Sequence, residues 1–295
     1  MAAALRQCRL FTPAFSARWP SCAVFWGFND RVNTPADQPA VRMTGLRLER
    51  GGRAVLRDVD VVVPRGSVTA VLGPSGSGKS TMLAALTGEL EPAAGRVEVF
   101  GEQVPRSQKA LLAMRKRVGV LLQGNGLLTD LTAAENVALP LRTHTDLPDA
   151  VIRRLVEMKL HAVGLRAAAD LFPRELSGGM ARRVALARAL ALDPPLMIYD
   201  EPLTGLDPIA SGVVMSLVRR LNDTLGLTSI VVTHHVHETM PVADHAIVIA
   251  NGRIVFSGTP AELDATQDPL VRQFLEGQPD GPIPFDTTAR APEAA

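Results

Sequence analysis

Short apolar runs alternate with longer helix-like stretches from residue 41 onward, and this alternation is the main structural signal in the chain. Four of the runs have the length and composition of strands that are buried on both faces of a sheet. They are residues 68–72, 196–199, 230–233 and 246–249. Stretches rich in alanine, leucine and arginine lie between them, for example 181–192 and 211–225. Strands that alternate with helices predict an α/β domain with a mostly parallel sheet.

Residues from about 106 to 175 differ from the rest of this region. They are rich in leucine and alanine, and their apolar positions recur with helical spacing. The one convincing β-run among them is 118–122. We therefore expect a helical subdomain inserted into the α/β domain.

The first 40 residues have a composition of their own, because half of the aromatic residues lie before residue 29 and the first acidic residue is Asp30. A secretory signal and an organellar transit peptide are two interpretations. Pro13 and Arg18 interrupt the apolar stretch that a signal needs. We favour a third interpretation, an unstructured extension or a wrongly assigned start, with 33–40 as a linker.

Composition narrows the class of protein. Hydrophobic residues make up 46% of the chain, and 31 basic against 30 acidic residues give a net charge of +1. This balance lacks the charge of a nucleic-acid binder, so we expect no nucleic-acid partner. No apolar run is long enough to span a bilayer. Two cysteines, Cys8 and Cys22, cannot build a disulfide framework, which indicates a reducing compartment.

A glycine-rich segment follows the run 68–72 and fits the pattern G-x-x-x-x-G-K-S/T. Its glycines let successive backbone N–H groups face phosphate oxygens, and a following helix adds its positive N-terminal end. Lys79 would reach the β and γ phosphates, and the Ser80 hydroxyl would contact Mg²⁺. A plain glycine-rich turn is the alternative, which the flanking strand and helix disfavour. The predicted nucleotide-binding residues here are Gly73, Pro74, Ser75, Gly76, Ser77, Gly78, Lys79, Ser80 and Thr81.

The apolar run 196–199 ends in Asp200 and Glu201. A carboxylate at a buried strand end can hold Mg²⁺ through water, which suits Asp200. Glu201 could accept a proton from an attacking water. The alternative is a pair of capping residues without chemistry.

A second anion-binding turn consists of Ser177, Gly178 and Gly179, ahead of a predicted helix. One chain then has two phosphate-binding surfaces and one set of hydrolytic groups. The turn would therefore cap the phosphate that a second subunit binds, unless it is a simple glycine-rich turn.

With these motifs in order, the sequence resembles ATP-binding cassette (ABC) ATPases over residues 41 to about 275. The resemblance implies a RecA-like P-loop NTPase core, an N-terminal antiparallel β portion and the inserted helical subdomain. It implies catalytic roles for Lys79, Glu201 and His234, the last as the switch histidine. It also implies that ATP contacts Gln123, Ser177, Gly178, Gly179 and Asp207, and that Mg²⁺ is held by Ser80, Gln123 and Asp200.

Two positions depart from the ABC pattern. The usual adenine-stacking aromatic near residue 50 is missing, and Arg50 could stack in its place. The signature loop ends in Met180 instead of glutamine, so Ser177 and the glycines must contact phosphate. The cluster of His234, His235, His237 and Glu238 is not expected to bind zinc, because Pro241 stands where H-E-x-x-H needs histidine.

Within the ABC proteins, residues 176–183 and 268–285 resemble the ATPase subunit of Mla-type phospholipid transporters. That resemblance implies a second copy of the chain, integral-membrane permeases, an MCE-domain lipid-binding subunit and, in many cases, a STAS-domain protein. It places the chain on the cytoplasmic face of the inner membrane, held there by the permease. Residues 276–295 would reach toward the partner ATPase subunit.

Two surfaces are candidates for these contacts. Leu270, Val271, Phe274 and Leu275 predict a short amphipathic helix that packs either on a partner or on its own domain. A permease groove or ordinary subdomain core would be formed by Leu127, Leu128, Thr129, Leu131 and Glu135.

Other functions remain as alternatives. The insertion is too short for a chromosome- or repair-type ABC ATPase, and a ribosome-associated ABC factor would carry two cassettes. A kinase or GTPase would not need the Ser177 turn. A transporter subunit for a different substrate is the main competitor.

Overall fold

The computed structural model describes residues 38–283 of the 295-residue chain. The expected N-terminal extension, up to residue 37, and residues 284–295 of the expected C-terminal tail lie outside the described part. Predictions about Cys8, Cys22 and the end of the tail therefore stay predictions.

A four-stranded antiparallel sheet lies at the start of the described chain. Its strands, in the order β2-β1-β4-β5, are β1 (Val41–Arg50), β2 (Arg53–Val63), β4 (Ala94–Val99) and β5 (Glu102–Gln103). Gly51 and Gly52 join β1 to β2 with φ of 57° and 74°. Two consecutive residues with positive φ form the tight turn that suits the twist of a hairpin, which explains the glycine pair.

A six-stranded sheet forms the centre of the fold, in the order β10-β9-β3-β8-β7-β6. Neighbouring strands from β9 to β6 pair in parallel, and β10 pairs antiparallel with β9. The strands are β3 (Val68–Leu72), β6 (Val118–Leu121), β7 (Leu196–Asp200), β8 (Thr228–Thr233), β9 (His245–Ala250) and β10 (Arg253–Gly258). Every residue of β3 and β8 is buried, as the apolar runs predicted.

Helices cover both faces of this sheet. They are α1 (Lys79–Leu86), α2 (Gln108–Arg115), α3 (Ala133–His144), α4 (Asp149–Ala162), α5 (Gly178–Ala189), α6 (Pro208–Leu225), α7 (Val236–Thr239), α8 (Pro260–Ala265) and α9 (Pro269–Glu276). None of the described helices is both long and apolar enough to cross a membrane. The predicted α/β class, with its N-terminal antiparallel part, is confirmed.

Helices α1 and α5 lie on opposite faces of the sheet. Met82 of α1 packs in one hydrophobic cluster with Ile198 of β7. Val184 of α5 packs in another cluster with Met197 and Tyr199 of the same strand. Successive side chains of a strand point to opposite faces, so these two clusters are separated by the sheet.

The range 106–175, expected to be a helical subdomain with one β-run at 118–122, contains a strand of the main sheet at that run. β6 pairs in parallel with β7 from Val118 to Leu121, and it forms the edge of the six-stranded sheet. The helical layer follows it, and α3 and α4 pack with α5 through Val137, Ile152 and Val184. The β-run predicted at 118–122 is thus confirmed as β6, which is one residue shorter than expected.

Helix α9 packs on its own domain. Val271 is fully buried, and Phe274 and Leu275 pack with it against Leu72 of β3 and Val248 of β9. The structure thus agrees with the second of the two interpretations of this amphipathic stretch.

Candidate active site

The loop that joins β3 to α1 requires glycine at two positions. Gly73 has a φ of 148°, and a Cβ added there would lie 2.1 Å from the backbone oxygen of Ile249. Gly78, just before α1, has a φ of 107°, and its added Cβ would lie 2.6 Å from Cδ2 of Leu56. L side chains rarely adopt such φ values. Only glycine therefore lets this loop lie so close to β9 and β2.

The ammonium of Lys79 folds back on the same loop. Its Nζ donates to the backbone oxygens of Gly73 at 2.7 Å and Pro74 at 2.9 Å, and the residue is 7% exposed. Burial lowers the pKa of Lys79, and the nearby charges of Glu201 and Asp200 oppose that shift. Phosphate oxygens are acceptors of the same kind as these carbonyls, so they can take their place.

Ser77 adds a hydroxyl that the fold itself does not use. Its Oγ is buried and has no hydrogen-bond partner among the described residues. Buried hydroxyls normally have a partner. The first turn of α1 contains no acidic side chain, so the positive end of the helix has no anion of its own sequence beside it. Both observations fit a loop that is completed by a bound phosphate.

Asp200 ends strand β7, which β8 separates from β3, and Glu201 is the next residue. Burial and the negative charge of Glu201 raise the pKa of Asp200, and the positive charge of Lys79 opposes the shift. Glu201 has a φ of 46° and its backbone N–H donates to the oxygen of Val232 at 2.8 Å. A non-glycine residue in this region of φ is uncommon and costs about 1–3 kcal/mol. Glu201 is thus held in a conformation that turns it away from the strand.

Residues of β8 and the loop after it hold the Glu201 carboxylate. Thr233 Oγ1 donates to Oε2 at 3.3 Å, and Nδ1 of His234 lies 3.0 Å from Oε1. His235 is near, with its ring centre 4.3 Å from that of His234. The structure therefore brings the predicted catalytic residues Lys79, Glu201 and His234 together beyond the carboxyl ends of the parallel strands β3, β7 and β8.

The oxygen donors here fit Mg²⁺. A serine hydroxyl, a carboxylate and an amide oxygen are hard ligands of the kind that this ion accepts. Ser80 is exposed at the first turn of α1, Asp200 lies beside Lys79, and Gln123 follows β6, the neighbour of β7. The negative charges of Asp200 and Glu201 also favour a cation. Ser80, Gln123 and Asp200 are the residues that would hold it, and this assignment stays a prediction.

Potential ligand atoms of Glu201, His234 and His235 lie within 4.8 Å of one another. Glu201 was not part of the histidine cluster considered from the sequence. His237 and Glu238 lie in α7, outside this group. Since the Glu201 carboxylate already contacts Thr233 and His234, we interpret the group as part of the hydrolytic site.

The Ser177 loop lies apart from the phosphate loop. Ser177 caps α5, its Oγ accepting from the N–H of Met180 at 3.3 Å. Cβ atoms added at Gly178 and Gly179 would lie 3.8 Å from Leu206 and 3.5 Å from Ala210. The predicted signature loop thus packs beside the start of α6, where Asp207 caps the helix by accepting from two backbone N–H groups. α5 lies on the face of the sheet opposite α1.

Three functional candidates were missed from the sequence. Val55 and Leu56 lie beside the phosphate loop at Gly78. Arg50, the candidate for stacking on adenine, lies instead at the end of β1 next to the hairpin turn. Arg182 of α5 is 4% exposed and contacts the loop that carries Gln123. The sequence did contain a signal that Arg182 is buried. It lies three residues before Ala185 and four before Leu186, on the buried face of the helix.

Comparison with known proteins agrees with this geometry. Residues 56–204 match the ABC transporter family. The chain is 48% identical over 86% of its length to the intermembrane phospholipid transport system ATP-binding protein MlaF of Haemophilus influenzae, covering 97% of that protein. The MlaF of Escherichia coli is 48% identical over 83% of this chain and 91% of its own length.

Solved structures show the same fold. The cbiO1 protein of Clostridium perfringens, part of the ABC transporter complex cbiONQ, has a TM-score of 0.74 and 28% identity. The match covers 82% of this chain and 96% of that one. A dimeric post-hydrolysis structure of the ATP-binding cassette MJ0796 bound to ADP and Pi has a TM-score of 0.68 and 30% identity, over 75% of this chain and 98% of that one. The chain therefore belongs to the ABC transporter family and, within it, to the MlaF group of ATP-binding proteins.

Proposed function

We infer that this chain is the ATP-hydrolysing subunit of a membrane ABC transporter, the Mla-type system that moves phospholipid between membranes. The meeting of Lys79, Asp200, Glu201 and His234 at one sheet edge carries the ATPase part of this inference. The lipid part is supported by the 48% identity to MlaF proteins, which extends over most of both chains.

The phosphate loop binds the nucleotide. Lys79 exchanges the carbonyls of Gly73 and Pro74 for phosphate oxygens, and Ser77 Oγ gains the partner that it lacks among the described residues. Charge-assisted hydrogen bonds of this kind are worth about 1.5–3 kcal/mol each. When Mg²⁺ is bound by Ser80, Gln123 and Asp200, it neutralises charge on the phosphates.

Glu201 accepts a proton from the attacking water. Its carboxylate is held by Thr233 and His234, and its charge acts on the nearby Lys79. His234, which is exposed on its other side, contacts the γ-phosphate. Lys79 stabilises the negative charge that develops on the transferred phosphoryl group.

Two copies of the chain form the complete sites. The Ser177 loop and the phosphate loop belong to helices on opposite faces of the sheet, so one chain does not bring them together. In a two-fold dimer, each Ser177 loop can cover the nucleotide of the partner. The dimeric structures of the related MJ0796 cassette support this assembly.

The dimer acts on integral-membrane permeases from the cytoplasmic face of the inner membrane. Leu122 and Leu128 are 51% and 46% exposed next to the loop that carries Gln123, so an apolar permease segment can pack there. Leu127 and Leu131, in contrast, are half-buried. The permease joins the ATPase to an MCE-domain lipid-binding subunit, and in many systems of this type a STAS-domain protein belongs to the complex as well.

Affinity purification of the tagged chain from detergent-solubilised native membranes tests this assignment. Mass spectrometry of the retained proteins should identify a multi-span permease together with an MCE-domain protein, and the complex should hydrolyse ATP. Recovery of a permease without an MCE-domain protein would support the ATPase assignment and contradict the assignment of phospholipid as the substrate. A chain without any membrane partner would reject the transporter.

A further inference from the structure

Two arginines of α5 hold the loop that follows β6. Arg182 Nη1 donates to the backbone oxygens of Leu122 at 3.1 Å and Gln123 at 2.9 Å. Six residues later, Arg188 donates through its two Nη atoms to the oxygens of Gly126 and Asn125. Four of the five carbonyls from 122 to 126 therefore accept from a helix about 60 residues away in sequence.

Arg182 also reaches a third segment of the site. Its Nη2 donates to the oxygen of Thr204 at 3.1 Å, three residues after Glu201 and three before Asp207. One guanidinium, carried by the helix that begins at the Ser177 loop, thus contacts both the chain after β6 and the chain after β7.

The position of Arg182 is costly for a residue with a purely structural function. The side chain is 4% exposed, Nε is buried without a partner, and no carboxylate within residues 38–283 forms an ion pair with it. A buried charge without a counterion is unfavourable, and burial lowers the pKa of Arg182. The carbonyl dipoles of Leu122, Gln123 and Thr204 are its compensation.

The loop needs such support because its backbone is irregular. Asn125 and Gly126 both have positive φ, 61° and 58°. The Asn125 side-chain oxygen is buried without a hydrogen-bond partner among the described residues. Without the arginines, the backbone at Gln123 would lose acceptor contacts that fix where its side chain lies.

We propose that Arg182 is a positioning residue that fixes Gln123 relative to Glu201 and makes the Ser177 loop move together with both. The proposal rests on the proposed function, since it assumes that Gln123 contacts the MgATP of the same chain. Arg188 supports the far side of the loop. Neither arginine touches the nucleotide.

The test is a double-mutant cycle on ATP hydrolysis by the full chain in its copurified membrane complex. We expect Arg182→Gln to lower kcat by about 10- to 100-fold, the range for a displaced catalytic group, and to raise the Mg²⁺ concentration needed for half-maximal rate. Adding Gln123→Ala to Arg182→Gln should lower kcat by less than about twofold more, because both changes remove the same contact.

Arg183→Gln is the matched control. Arg183 is the next residue of α5, is half-buried and donates to the oxygen of Val163 in the helical layer, outside the three segments. It should leave the Mg²⁺ dependence unchanged. Hydrogen exchange gives a readout without turnover, and Arg182→Gln should speed the exchange of amides 122–126 while those of β3 stay protected.

Three outcomes would overturn the proposal. One is a wild-type Mg²⁺ dependence in Arg182→Gln, and another is a rate loss that multiplies fully with that of Gln123→Ala. The third is protected amides at 122–126 in the variant. A wild-type complex without ATPase activity would instead contradict the proposed function itself, so the two failures are distinguishable.

Discussion

The phosphate loop and the Ser177 loop both begin a helix and are both rich in glycine and serine, yet their surroundings differ. An added Cβ at Gly73 would meet backbone at 2.1 Å, whereas one at Gly178 would meet its first neighbour at 3.8 Å. Lys79 and Ser77 of the first loop are buried, and Ser177 and Gly178 of the second are exposed. The first loop is shaped by its own chain, and the second leaves its groups exposed, as the proposed contact with a partner requires.

We expect the largest effect on kcat from a substitution of Glu201, the proposed hydrolytic carboxylate. This residue lies near the phosphate loop and not near the Ser177 loop. Glu201→Gln removes the proton acceptor and keeps the shape, so kcat should fall by about 10²–10⁴-fold while ATP still binds. Steady-state ATPase assays and equilibrium binding of labelled ATP measure the two. Glu238→Gln on α7 is the control and should hydrolyse normally. Near-normal turnover by the Glu201 variant would remove this residue from the mechanism.

Alanine at matched glycines tests the difference in shape directly. Gly73→Ala should lower the free energy of unfolding by about 3 kcal/mol, since the new Cβ meets backbone at a disfavoured φ. Gly178→Ala should change stability by less than about 1 kcal/mol, because helix α5 accommodates alanine well. Urea unfolding compares the two variants. Equal destabilisation would contradict the distinction drawn between the loops.

Mixing two inactive variants tests whether the Ser177 loop serves the partner. In a dimer of Glu201→Gln with Ser177→Arg, one composite site contains both changes and the other contains neither. An equimolar mixture should then recover about a quarter of the wild-type rate, because half of the dimers are mixed and each has one intact site. Each variant alone is the control. A mixture as inactive as its components would favour sites that lie within one chain.

The smallest effect concerns Asp200, whose pKa is raised by burial and by Glu201. A carboxyl with a raised pKa binds its proton more readily when folded, so its ionisation destabilises the fold above that pKa. Asp200→Asn should therefore stabilise the nucleotide-free chain at pH 7 by about 1 kcal/mol. The gain should vanish below about pH 4, where the carboxyl is protonated in both states. Thermal unfolding across pH measures it, and a variant that is less stable at pH 7 would contradict this sign.

The parts of the site that lie within a few consecutive residues could be predicted from the sequence. The phosphate loop spans 73–81, and the carboxylate pair ends an apolar run at 196–201. Their geometry follows from local properties: the φ values open to glycine, the N-terminus of a helix and the end of a buried strand. The α/β class followed from the same local periodicities.

Which residues distant in sequence contact each other could be seen only in the folded chain. Glu201 and His234 are 33 positions apart, and Arg182 donates to backbone 59 and 60 positions before it. The β-run at 118–122 was recognisable in the sequence, but its place beside β7 at the edge of the sheet was not. Every residue type has the same backbone carbonyl. The sequence at 122–126 therefore does not reveal that these carbonyls accept hydrogen bonds from an arginine. The long-range contacts of Arg182 therefore result from the packing of α5 against the sheet, and no sequence motif predicts them.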